Sequence, residues 1–102
     1  MNVLRHQMER IDEATYSFVI TAKELKLAMT DAFFEDRVCI ENVDAAFEIE
    51  KEAEEASNEI YRMRAKIVAE SSDSVRLIYL LKNKLQEIEA KTNALEKVLE
   101  SL

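Results

Sequence analysis

The chain has 102 residues, 48% of them hydrophobic and 34% charged, with a formal charge of −7 and neither glycine nor proline. That charge argues against a general nucleic-acid binder, which needs a basic footprint to displace counterions, and against a helix lying on an anionic membrane. Without glycine or proline the usual hairpin turns and helix interruptions are missing, so an all-α chain is expected, helical almost end to end.

One domain, residues 1–102, is the natural count for this length. The Leu, Ile and Phe content suits an ordered amphipathic protein rather than a disordered acidic one. No apolar run approaches the ~20 residues that span a bilayer, and the N-terminus lacks a signal-peptide core. Cys39 stands alone, so no intrachain disulfide or thiolate zinc cluster is available. A cytoplasmic protein without membrane insertion is expected.

The first predicted helix, about 3–34, carries an apolar seam at Leu4, Met8, Ile11, Thr15, Phe18, Ala22, Leu25, Met29 and Ala32. A break at Glu35-Asp36 follows, with Asp36 read as the cap of a second helix over about 37–70. The second seam runs Cys39, Asn42, Ala46, Ile49, Ala53, Ala56, Ile60, Met63 and Ile67. Ser71–Ser74 marks the next break, because these side chains compete with helical backbone bonds. The third helix, about 73–101, presents Ile78, Leu81, Leu85, Ile88, Thr92, Leu95, Leu99 and Leu102.

Val19, Val43, Phe47, Leu77 and Val98 widen the seams beyond a two-stranded coiled coil, so each helix should touch two neighbours. Short connections then demand an antiparallel up-down-up three-helix bundle. Helices of about 30 residues run roughly 45 Å, and so thin a bundle is expected to leave an apolar face open for self-association. Phe18, Phe33, Phe34 and Phe47 are expected to fill the core around the first turn.

Glu48, Glu52, Glu55 and Glu59 recur at helical spacing, and Glu50 and Glu54 lie among them. Carboxylates on one face can bind hard cations such as Mg²⁺ or Mn²⁺. The plainer reading is a solvated acidic face neutralised in part by lysines of neighbouring helices. His6 has no glutamate three residues before it, which removes the Glu-x-x-His pair of di-iron bundles. Cys39 has no histidine nearby in sequence and falls on a seam, so a buried small hydrophobe is expected there.

Two family resemblances bear on function. Leu4-Arg5-x-x-Met8-x-x-Ile11-Asp12 looks like the opening of the all-helical chorismate mutases, and that resemblance implies a basic pocket around Arg5 and Lys23. The match stops after Asp12.

The second resemblance covers more of the chain. Ile49-Glu50-Lys51-Glu52-Ala53-Glu54-Glu55 with Glu59-Ile60, then Asp73-Ser74-Val75-Arg76-Leu77 and Leu85-Gln86-Glu87-Ile88, is similar to the PhoU-like phosphate-transport regulators. Half of such a regulator is itself a three-helix bundle of about this length. The resemblance implies a non-enzymatic regulator that works by protein–protein contact, with two copies pairing as a homodimer. It also implies that Glu50, Glu54 and Glu55 could hold a metal ion such as Fe or Zn. Ala90 stands where the family's third helix supplies an aspartate. A ligand-free helical adaptor or scaffold is the alternative.

Overall fold

The computed structural model describes residues 3–66 and 72–102. Three helices account for most of them: α1 (Val3–Phe34), α2 (Ile40–Lys66) and α3 (Ser72–Glu100). The all-α three-helix bundle expected from the seams is what forms. It is long and thin, 53 × 20 × 17 Å, with a radius of gyration of 16.0 Å, against about 13 Å for a compact domain of this length. α1 and α2 pack most extensively, and α3 leans on both.

The seams are the core. On α1 the buried residues are Leu4, Met8, Ile11, Thr15, Ala22, Leu25, Met29 and Ala32, with Phe18 partly covered. On α2 the fully covered Ala46 and Ala53 leave room for close helix approach, and Val43, Ile49, Ala56, Ile60 and Met63 complete the stripe. On α3 Ile78, Leu81, Leu85, Ile88 and Leu95 face inward. Thr15 and Thr92 occupy core positions because each hydroxyl donates to the carbonyl four residues back, at 2.7 Å to Ile11 and 2.8 Å to Ile88. A buried hydroxyl without such a partner would cost about 1–3 kcal/mol.

The first turn differs from expectation in one respect. Asp36 does not cap the second helix, which starts at Ile40 rather than near Arg37. Its φ of 61° is left-handed. Asp36 N–H donates to Phe33 O at 3.0 Å and Arg37 N–H to Ala32 O at 2.9 Å. These two bonds define a Schellman motif with Asp36 at the C′ position that glycine usually fills. In a chain without glycine, aspartate is one of the few residues that visits this conformation. The turn thereby satisfies carbonyls at the end of α1 and consumes the residues expected to begin α2.

Cys39 is then the N-cap of α2, exposed rather than buried on the seam. Asn42 N–H donates to Cys39 O at 3.1 Å, and Asn42 Nδ2 lies 3.4 Å from Cys39 Sγ. Val43, not Asn42, leads the buried stripe. Of the four phenylalanines, Phe18 and Phe33 pack against the core, whereas Phe34 and Phe47 are exposed. Phe34 instead meets Phe33 edge to face, with centroids 5.5 Å apart. α3 begins at Ser72 with Asp73 in its first turn and Ser74 buried. Residues 67–70 of the expected second helix, its seam residue Ile67 and Ser71 of the expected break lie outside the described residues. Leu99 is half-buried, and Leu102 is exposed.

Candidate interaction surfaces

Charged side chains hold the helices in register. Lys26 Nζ of α1 sits 2.8 Å from Glu50 Oε2 of α2, and Arg64 of α2 pairs with Asp12 of α1. Asp12 and Lys26 are two heptads apart on α1, and Glu50 and Arg64 are two heptads apart on α2. The signs are crossed, so an antiparallel α1–α2 pair brings opposite charges together. A parallel pair in the same register would set Asp12 against Glu50 and Lys26 against Arg64. Topology is therefore written into the charges as well as into the short connection.

The Lys26–Glu50 pair is the more sheltered, its side chains 26% and 17% exposed. Glu50 Oε2 is buried and receives no well-directed hydrogen bond, so its contact with Lys26 is chiefly ionic. The Lys26 ammonium also lies 5.3 Å from the Phe47 ring centroid, a cation–π distance. An exposed phenylalanine thus covers part of a half-buried charge.

Between α2 and α3, Lys91 Nζ bonds both oxygens of Glu52, at 2.9 and 3.1 Å. That hydrogen bond, then the Glu52 charge and the more distant Glu87 and Glu48, raise the Lys91 pKa above its ordinary value. Glu55 and Glu59 border a groove with Lys84, floored by Ala56, Met63, Leu77, Leu80 and Leu81. Much of the acidic stripe thus faces α3 lysines, as the plainer reading of these carboxylates expects. At the start of α2 the Glu41 carboxyl is held below its ordinary pKa by its own backbone N–H and then by the Cys39 thiol.

The three carboxylates singled out as metal ligands are not brought together. Glu50, which is engaged by Lys26, and Glu54 border one groove with Phe47 and Lys51, whereas Glu55 faces α3. At 100° per residue Glu54 and Glu55 diverge around the helix. Among the described residues no group of three or more His, Cys, Asp or Glu side chains is placed to share a metal ion. His6 is exposed on the first turns of α1. Arg5 and Lys23 are exposed on the same helix, about 27 Å apart at 1.5 Å per residue, too far for both to line one small-molecule pocket; Arg5 lies 3.5 Å from Glu9.

A further apolar surface, outside the buried seams, is the outer side of α1. Tyr16, Ile20, Leu27 and Phe34 are between 41% and 78% exposed. The signal was present in the sequence: Ile20, Leu27 and Phe34 repeat every seven residues, on the side of the helix opposite the core seam. Phe47 and Tyr61 add exposed aromatics on α2.

Fold and surfaces together define an all-α, antiparallel three-helix bundle with open apolar grooves. None of the described helices is long and apolar enough to cross a membrane. The chain matches no family model, no curated protein and no solved structure.

Proposed function

We propose that the chain is a non-enzymatic, cytoplasmic interaction module resembling one half of a PhoU-like phosphate-uptake regulator, and that it acts by protein–protein contact and self-association. The observation that carries this reading is the second apolar surface: the core is complete without Tyr16, Ile20, Leu27, Phe34 or Phe47, yet all five stay exposed. Exposed apolar side chains repeated along one helix face support a reading in which that face meets another protein. The half-length bundle, and an α3 that opens with Asp73 in its first turn, support the regulator resemblance.

Cells lacking the chain should mis-set phosphate uptake when external phosphate changes. Uptake identical to that of unmodified cells would remove the regulatory reading. The ligand-free adaptor is then the second reading. It is favoured by the way Lys26 and Lys91 neutralise Glu50 and Glu52, leaving those carboxylates in structural pairs.

A further inference from the structure

We infer that the outer groove between α2 and α3 docks an amphipathic helix of another protein, one that carries lysine or arginine along the edge it sets against α2. The inference rests on the proposed protein–protein contact, not on self-association, and names the surface and the chemistry of the partner. Two apolar troughs lie along the groove. Ala45, Ile49, Ala94, Leu95 and Val98 line one, and Ala56, Met63, Leu77, Leu80 and Leu81 line the other. The Glu52–Lys91 pair crosses between them.

The shape calls for a helix. Both troughs are open along their length, so neither can bury most of a small molecule's surface as a ligand pocket does. From Ala45 to Met63 the groove runs roughly 27 Å at 1.5 Å per residue. Core residues floor it and two antiparallel helices wall it, the setting in which an amphipathic helix lays down its apolar face. The trough centres are about 11 residues apart along α2, so the partner's apolar anchors recur at i and i+11, which share one helix face. Half the surface of a cylinder ~10–12 Å wide over that length is roughly 400–500 Å². Counted on both partners this is about 900 Å², the size of a weak, exchangeable contact.

Charge selects the partner. Glu48, Glu52, Glu55 and Glu59, the stripe visible in the sequence, form the α2 rim of this groove. Lys91 takes up Glu52, and Arg62 lies 3.4 Å from Glu59. Glu48 and Glu55 have no hydrogen-bond or ion-pair partner among the described residues, nor has Lys84 on the α3 rim. A helix with a basic edge toward α2 and a carboxylate opposite Lys84 meets all three. A second copy does not supply that edge through the outer stripe of α1. From Glu13 to Phe34, the charged residues within about 60° of Ile20 are Glu13, Glu24 and Asp31 against Lys23. Laid in the groove, that stripe would set carboxylate against carboxylate. The α1–α3 groove is bordered by Arg10, Lys82 and Glu89, of both signs, and makes no such choice.

The test is fluorescence anisotropy of a labelled, hydrocarbon-stapled helical peptide of about 20 residues, titrated with the full chain. The peptide carries leucine at i, i+4, i+11 and i+15 and lysine along one edge; a second peptide carries glutamate along that edge. The lysine peptide should bind with a dissociation constant of about 10–100 micromolar, and the glutamate peptide at least tenfold more weakly. Leu80→Glu and Ala94→Glu, one in each trough, should each weaken the lysine peptide at least fivefold, while Leu27→Glu on α1 should leave it unchanged. Glu55→Lys combined with Glu59→Lys should cut the preference for lysine at least fivefold. All the substituted side chains are exposed, and circular dichroism confirms that each variant stays helical. A lysine peptide that does not bind at about 1 millimolar would overturn the inference; dimerisation of the same sample would leave the interaction reading standing. Binding indifferent to both Leu80→Glu and Ala94→Glu would overturn the groove. A lysine preference untouched by the Glu55 and Glu59 substitutions would overturn the basic edge.

Discussion

Ile88 is the position where the packing account makes its largest numerical commitment. It is fully buried on α3, the helix that packs less extensively than the other two. Ile88→Ala deletes three carbons from a site with no solvent access, worth about 2.4 kcal/mol at ~0.8 kcal/mol per methylene. The narrow bundle has little material to collapse into the gap. A residual cavity of about 40 Å³ adds roughly 1 kcal/mol at ~24 cal/mol per Å³. The total of about 3–3.5 kcal/mol is a large fraction of the ~5–15 kcal/mol that stabilises a domain. Urea unfolding followed by helix dichroism, at one fixed protein concentration, should show a lower midpoint with an unchanged slope. Leu80→Ala, at an exposed position on the same helix, should stay within about 0.5 kcal/mol of the native chain. An Ile88→Ala cost below about 1 kcal/mol would mean that α3 is not docked as described, and would refute the core assignment.

The turn and the ion pairs make three further commitments. Asp36→Gly should leave stability unchanged or raise it by up to about 1 kcal/mol, and Asp36→Val should lower it by about 1 kcal/mol or more, since φ is left-handed there; thermal unfolding decides. Cys39 should react with a thiol reagent in the folded state, and Cys39→Ala should move the Glu41 pKa up part of the way toward its ordinary value by carbon-detected NMR titration, the backbone N–H contribution remaining. Because the Lys91 pKa is raised on folding, its contribution is fully present below the unfolded value of about 10.4 and is lost as pH rises through the folded value. Lys91→Met should therefore flatten the fall in urea midpoint in strongly alkaline solution.

How far the fold could be read in advance depended on the kind of residue. The α1 and α3 seams were legible because Leu, Ile and Met at spacings of three and four have one good place to go. The first turn was not, because its conformation is decided by backbone bonds from Asp36 and Arg37 that leave no mark on hydrophobic periodicity. The same error placed Cys39 inside and began the second seam at Asn42 rather than Val43, whereas from Ala46 to Met63 the expected residues are the buried ones. Phe34 and Phe47 are apolar residues beside a seam, which suggests core, yet one follows the last buried turn and the other covers Lys26. The acidic stretch was visible as a pattern, but its partners Lys26 and Lys91 lie on other helices and emerge only from the register. The outer apolar stripe of α1 was hidden by a stronger seam on the same helix.

The claim on which the functional account depends most is that this bundle pairs with itself. Sedimentation velocity of the unaltered chain from 1 to 100 micromolar tests it most directly. The account predicts a concentration-dependent shift from the 11.8 kDa protomer to a species of about twice that mass. A single 11.8 kDa species across the whole range would contradict it.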